Sequence, residues 1–402
     1  MRVLFADCIK NEIGGGHLVL ARLANHYFAN DKYGVEPFVF MNDAGGFRGR
    51  FLDERITFIP VSWGSRAMSM SRGKGWGALL AAAFSPSVLK AWGALFRAIR
   101  DNRIEVVHAN SMMAFLLAAL PARLCGVGLV CHMHDSLPGP RDGGALSAAA
   151  RRLLLLFMKV FAGKVVAVSG FVGQTISGGA ASLGKKTMVI HNGLEHAGMN
   201  HGPGDYSGGP PRVIALGRLH PDKGFDMAIK AVSLLKRDFG VGVDLKVLGD
   251  GPMRGALEAL AEGEGVSAQV EFTGFRDNVH EYMAEADIVL VPSLWEDPLP
   301  LVVMEAMANA RIVIASMTGG IPEMITDGRD GMLVPKARPD VLAEKILWVM
   351  AHPEEAAEMA ARARWRAVRE FTIERMAGAM AGVYESLARA GRERETRCGY
   401  FF

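Results

Sequence analysis

Cysteine is scarce. The four in this 402-residue chain, Cys8, Cys125, Cys131 and Cys398, form no CxxC pair and no metal-ligand spacing. That excludes a disulfide framework and reads as free thiols of a reducing compartment. Long apolar runs are missing too. The longest, "SMMAFLLAALPARLCGVGLV" (111–130), is broken by Pro121, Arg123 and glycines, so it reads as a buried helix leading into a strand rather than a span. The opening "MRVLFADCI" has a short apolar run with no small-residue cleavage site; it reads as a strand, not a signal peptide. The expectation is a cytoplasmic protein. Three anion-site signatures are also absent: the Walker A loop, the GxGxxG fingerprint and any Asp-x-Asp. Their absence argues against a P-loop NTPase, a dinucleotide enzyme and a carboxylate-held metal of the Asp-x-Asp kind.

Charge is modest, with a net of +3, but unevenly spread. Residues 1–200 carry 22 Lys and Arg against 12 Asp and Glu, and the remainder 23 against 30. A basic half attracts an acidic partner or an anionic surface, unless it is simply a solvated face. Segment 62–103 sharpens the question. It interleaves Trp63, Trp76, Phe84 and Trp92 with Arg66, Arg72, Lys74, Lys90, Arg97 and Arg100. Such interleaving suits a membrane interface, and equally a long loop followed by a packed surface helix. No nucleic-acid partner is expected.

The apolar half of the chain has a regular rhythm. "RVLFAD", "EPFVFM", "IEVVHAN", "GLVCHMH", "KVVAVS" and "KTMVIHNG" are strand-like, and most are separated by amphipathic helical stretches. Continuous apolar strands between helices imply a parallel sheet covered on both faces. The run "MNHGPGDYSGGPPR" (199–212) breaks the rhythm, and a second series follows: "RVIALG", "DLKVLGD", "QVEFTG", "DIVLVPS", "RIVIAS" and "GMLVP". The expected fold class is α/β: two Rossmann-like, doubly wound domains facing a central cleft at the carboxyl ends of their strands. The expected boundaries are 1–200, a linker at 201–211, 212–372, a C-terminal helix at 373–390 packing back on the first domain, and a frayed tail at 391–402.

In "GRLHPDKGFD" (217–226), Arg218 and Lys223 stand between an apolar run and an amphipathic stretch. Glycines permit close backbone approach, a helix start offers free N–H groups, and two cations add full charges. The combination suits a diphosphate. Downstream, "WEDPLPLVVMEAM" places Asp297 and Glu305 eight residues apart around a helix start, and Glu323 follows in "TGGIPEM". Carboxylates there can accept hydroxyl groups of a sugar or ribose while helix N–H groups face phosphate. His132 and His134 flank one residue on a strand and so share a face. No third metal ligand is suggested by local spacing, which favours a hydrogen-bonded pair.

Taken in order, "GGGH" (14–17), "VVHAN" (106–110), "HMHD" (132–135), "VVAVS" (165–169), "VIHNG" (189–193), "GRLHPDKG", "GDGP" (249–252), "EFTGF" (271–275), "DPLPLVVME" (297–305) and "GGIPE" (319–323) resemble the retaining glycosyltransferases of family four, of GT-B fold. The resemblance covers nearly the whole chain. It implies that Arg218 and Lys223 bind the donor diphosphate, that Glu305 holds the ribose and that Asp297 sits by the donor sugar. Backbone groups of Leu299, Leu301 and Val302 would contact sugar and phosphate, and Gly274, Phe275 and Arg276 would neighbour the base. Gly15 and Gly16 would approach the diphosphate from the first domain, and His134 would face the transferred sugar. The chain departs from the family where Asp297 replaces a glutamate, with Glu296 adjacent as a substitute, and where Pro300 replaces a glycine.

The implied function is metal-independent, retaining transfer from a UDP-, GDP- or ADP-sugar to a glycan or lipid-linked acceptor, with no cofactor. It would serve cell-surface glycan, polysaccharide or glycolipid synthesis, possible at the inner face of an anionic membrane. A nucleotide-sugar hydrolase or epimerase of the same fold, and a non-catalytic binding protein, are the alternatives.

Overall fold

The computed structural model describes residues 1–9, 13–61, 86–137, 144–178, 181–195, 202–204, 206 and 209–398. Two compact units emerge. One comprises Met1–Gly193 together with the C-terminal segment from Ile373; the other is Leu194–Thr372.

The first unit is built on a seven-stranded, all-parallel sheet in the order β3-β2-β1-β4-β5-β6-β7. The strands are β1 (Arg2–Ala6), β2 (Glu36–Met41), β3 (Thr57–Pro60), β4 (Val106–Ala109), β5 (Gly128–Met133), β6 (Lys164–Ala167) and β7 (Thr187–Val189). Burial on both faces is why the central strands read as unbroken apolar runs: Val3, Leu4, Phe5, Val106 and Val107 are fully buried. Residues 10–12, after β1, lie outside the described residues. Helix α1 (Gly15–Ala29) then turns Val19, Leu20, Leu23, Ala24 and Tyr27 inward at helical spacing. Helix α2 (Pro86–Asp101) buries Ala91, Leu95, Ala98 and Ile99. It is a packed amphipathic helix, while Trp63, Arg66, Arg72, Lys74, Trp76 and Phe84 lie outside the described residues. Helix α3 (Gly144–Phe161) buries Leu154, Leu155 and Met158.

The second unit holds a six-stranded parallel sheet, β10-β9-β8-β11-β12-β13. Its strands are β8 (Arg212–Leu216), β9 (Asp244–Leu248), β10 (Val270–Gly274), β11 (Ile288–Val291), β12 (Ile312–Ser316) and β13 (Met332–Val334). Helix α4 (Phe225–Phe239) buries Phe225, Ala228, Ile229, Val232 and Leu235, the spacing of one helical face, and ends on Gly240 at φ 66°. Each large side chain on that face contributes about 1.5–3 kcal/mol by leaving water. The short helix α5 (Leu301–Ala308) follows β11. Of the expected 201–211 linker, residues 201, 205, 207 and 208 lie outside the described residues.

Helix α6 (Ile373–Cys398) belongs to the first unit. The Tyr27 hydroxyl donates to the Ala377 carbonyl at 2.6 Å, and Tyr384 is fully buried. The helix continues through 391–398, where a frayed tail was expected. Arg392 reaches Glu105 at 2.9 Å, and Gly391 packs near the Gly126 carbonyl, so the helix still has partners just past residue 390, in the segments that lead into β4 and β5.

Both sheets reverse their strand order once, between β1 and β4 in the first and between β8 and β11 in the second. At that reversal the loops after the two strands diverge to opposite faces. The carboxyl ends of the strands therefore open there for a ligand.

Candidate functional site

In the second unit, the polar groups gather at that opening. After β8 the chain passes Gly217 and Arg218, makes a short helical turn at Pro221–Lys223, and enters α4 through Gly224 at φ 68°. A Cβ at Gly224 would collide with the Pro292 carbonyl beyond β11, so a residue without a side chain is required where the two loops touch. Across the reversal, the Leu294 and Trp295 N–H groups donate to the Asp222 carbonyl at 2.9 and 3.1 Å. These bonds bring Lys223 to Asp297: Nζ lies 2.5 Å from Oδ2.

The pair is lopsided in exposure. The Asp297 side chain is 11% exposed and that of Lys223 36%, so the ammonium is the partner that still faces solvent. The Asp297 main chain is held by its own turn, with its N–H donating to the Trp295 carbonyl at 2.9 Å and its carbonyl accepting from Gly320 at 2.8 Å. Gly319, at φ 58°, lets that turn close, since a Cβ there would strike the Asp297 carbonyl. Glu296, by contrast, is exposed. Of the two adjacent carboxylates, Asp297 is the one built into the strand-end opening.

The remaining sequence-derived positions separate by element. Arg218 is exposed on the same loop as Lys223. Helix α5 begins at Leu301 behind Pro300, with no side-chain cap, and at its start the Val303 N–H donates to the Pro300 carbonyl at 3.1 Å. The Leu301 and Val302 N–H groups precede any intrahelical acceptor and point out of the helix start. The Leu299 side chain is buried, which leaves only its backbone for a ligand. Glu305 is half-buried on α5, and Glu323 on the short helix Ile321–Met324. At the end of β10, Gly274 takes φ 74°, Phe275 is 66% exposed and Arg276 is exposed.

In the first unit, Gly14 caps α1. Its N–H donates to His17 Nδ1 at 2.9 Å. Gly15 is exposed, and Gly16 allows His134 to pack against the helix start, where a Cβ would come within 3.2 Å of His134 Cγ. Two residues that sequence reasoning did not single out organise the place. Asp7 follows β1 and Asn110 follows β4, and Asn110 Nδ2 donates to Asp7 Oδ2 at 2.7 Å and to the Gly16 carbonyl at 3.0 Å. Those bonds fix the amide orientation, so Asn110 Oδ1 is an acceptor. His134 Nε2, 3.0 Å away, must then carry the proton and donate, leaving Nδ1 with its lone pair. The clue in the sequence was a polar residue immediately after an apolar strand at the sheet's reversal.

Three histidines meet here. His108 Nε2 lies 3.2 Å from His132 Nδ1, and the His132 and His134 rings are 4.1 Å apart. Burial pushes the His108 ring down to about 3, with His134 adding to the effect. Burial, then His17, does the same to His134, also to about 3. His132 is held well below the ordinary value by burial, then by its two neighbours. All three are neutral at pH 7. His132 hydrogen-bonds to His108 and His134 to Asn110; among the described residues no group of three or more His, Cys, Asp or Glu side chains is placed to hold a metal ion.

Two doubly wound parallel sheets in one chain are the GT-B architecture. The Anabaena protein Alr3699/HepE, solved with UDP-glucose, superposes with a TM-score of 0.78 at 23% identity, over 96% of this chain and 100% of that one. Residues 13–197 match the family described as glycosyltransferase family 4, and residues 203–366 that described as glycosyl transferases group 1; the chain belongs to the group 1 glycosyltransferases. An α-D-kanosaminyltransferase of Streptomyces kanamyceticus is 29% identical over 181 residues, 44% of this chain and 46% of that protein. The chain thus spans about half of that relative's length. A glycogen synthase of Mycobacterium tuberculosis is 26% identical over 302 residues, 74% of this chain and 72% of its own.

Proposed function

We propose that the protein is a metal-independent, retaining glycosyltransferase that moves a sugar from a nucleoside diphosphate sugar to an acceptor hydroxyl, in the synthesis of a cell-surface glycan, polysaccharide or glycolipid. The observation that carries this reading is the Lys223–Asp297 pair across the strand reversal of the second unit. Breaking the sugar C1–O bond leaves charge on the diphosphate, and cations placed there in advance lower the barrier. Lys223 and Arg218 serve that charge, with the Leu301 and Val302 N–H groups at the start of α5 and the Leu299 backbone beside them. Asp297 then faces the sugar, Glu305 the ribose, and Gly274, Phe275 and Arg276 the base. In the first unit, Gly15 and Gly16 leave backbone open at a helix start, and His134 faces the transferred sugar.

Attack from the face that the leaving group departs keeps the anomeric configuration. The acceptor oxygen bonds to C1 as the C1–O bond to diphosphate breaks, and the acceptor proton passes to the leaving phosphate oxygen. The structures of Alr3699/HepE contain UDP or UDP-glucose, which makes uridine donors the first to try. A thermal-shift screen of UDP, GDP, ADP and their sugars identifies the donor, because a ligand at 100 times its Kd stabilises by about 2.7 kcal/mol. Product NMR is then expected to show the donor's anomeric configuration, with turnover unchanged by a chelator. An inverted product, loss of activity in chelator, or release of free sugar at full rate without acceptor each overturns the corresponding part of the reading.

We further propose that the first unit binds anionic membrane surfaces, which supports a lipid-linked or cell-surface acceptor. Among the described residues no helix is long and apolar enough to cross a membrane. Helix α3, however, has a second apolar face: Leu153, Leu156 and Val160 are 52, 54 and 51% exposed, at i, i+3 and i+7, beside exposed Arg152 and Lys159. Sedimentation with phosphatidylglycerol vesicles should capture the protein at low salt. The R152A/K159A variant should bind about tenfold or more weakly, at about 1 kcal/mol per cation. Indifference to such vesicles would refute membrane binding.

A further inference from the structure

Tyr384, on helix α6, is fully buried, and its hydroxyl lies 2.7 Å from His108 Nδ1. His108 Nε2 in turn meets His132 Nδ1 at 3.2 Å. Among the described residues, His132 Nε2 is buried with no hydrogen-bond partner. His132 is therefore steered by a single polar contact, the one to His108, and by packing. Its ring is tilted 50° against His134 at 4.1 Å, while Gly16 and Asn110 hold the rest of the His134 ring. A buried group left with one hydrogen bond keeps its orientation only while that bond is made.

We propose that Tyr384, His108 and His132 are positioning residues that set the His134 ring, so that the C-terminal helix determines the placement of a side chain of the transfer chemistry. The inference rests on the reading of His134 given above. Phe5 braces the chain of contacts by packing on both His108 and Tyr384, at ring distances of 5.0 and 6.3 Å. Aromatic packing alone fixes where these rings lie. The Tyr384 hydroxyl adds which way the imidazole of His108 is turned, and through it which nitrogen His132 presents.

The test uses the full chain with ¹⁵N-labelled histidine and two readouts. The first is the pair of ring-nitrogen resonances of His134, assigned by their loss in His134→Ala. The second is UDP release from UDP-glucose. Tyr384→Phe, which keeps the ring and removes the oxygen, is expected to shift the His134 resonances and to lower kcat about ten- to a hundredfold, with KM for UDP-glucose within about twofold. In the His134→Ala background it should cost nothing further, since a residue that acts through another is silent once that other is gone. His108→Asn is the second variant should the first fail to fold. Unmoved His134 resonances, or an equal loss in the His134→Ala background, overturns the inference. An unchanged kcat in His134→Ala itself, with the resonance shift still produced by Tyr384→Phe, instead removes the proposed role of His134 and leaves the structural coupling standing.

Discussion

Lys223→Ala lowers kcat by about 10² to 10³, the usual cost of deleting one preorganised charge that faces the developing anion of a transition state. KM for the donor rises less, because an ammonium that meets the diphosphate in both ground and transition states spends only part of its attraction on binding. The structure adds a condition. Lys223 is the observed partner of Asp297, which is 11% exposed, so the alanine variant leaves a nearly buried carboxylate without its cation. Such a group destabilises the fold until it is neutralised. The variant K223A/D297N should therefore recover the melting temperature lost in Lys223→Ala while remaining as inactive. Recovery of both would mean that the lysine serves the fold alone. Arg218→Ala, on the exposed side of the same loop, is expected to lose activity with a smaller fall in melting temperature than Lys223→Ala, which strands a nearly buried carboxylate. UDP release and a thermal scan on the four proteins settle the matter. Wild-type rates in both Arg218→Ala and Lys223→Ala would remove the diphosphate assignment altogether.

The architecture was legible because parallel strands buried on both faces write themselves as apolar runs such as "RVIAL" and "DIVLV", whose spacing leaves room for crossover helices. The cations were legible for a related reason: a loop between strand and helix has few uses for Gly217, Arg218, Lys223 and Gly224 together. What could not be read was partnership. Lys223 and Asp297 are 74 positions apart and meet because β8 and β11 are neighbours at the reversal of strand order, a fact about topology that no local pattern contains. The choice between Glu296 and Asp297 is similar, since a turn has no periodicity to say which of two adjacent carboxylates points inward. Gly319, closing against the Asp297 carbonyl, makes that choice. The same holds for the first unit, where Asp7 and Asn110 lay in plain view at strand ends and gained meaning only from the hydrogen bond that joins them. Helix α6 outran its expected end because the charge run after residue 390 resembled a solvated tail, whereas Arg392 is tied to Glu105.

Moderate acid should unfold this protein more readily than its carboxylates alone would allow. The His108 ring titrates at about 3 in the folded chain and near 6.5 once unfolded. Between those values the unfolded chain binds the extra proton, so stability is full above pH 6.5 and falls as pH drops through the window. From pH 7.5 to pH 5 the loss from His108 alone is about 2 kcal/mol. His132 and His134, also held below the ordinary value, act in the same direction, and each adds its own share because in this window the protons are taken up by the unfolded chain, where the rings are apart. The lowered carboxylates Asp53 and Asp340, both held near 2 by their arginine neighbours, titrate below pH 5 and leave the window to the histidines. Urea midpoints measured at pH 7.5 and 5 should therefore differ clearly in the wild type, and the difference should shrink in His108→Asn, whose side chain takes up no proton in either state. A midpoint that stays constant across the window would mean that the buried rings already share a proton at neutral pH, and the neutral tautomers assigned to the cluster would have to be withdrawn.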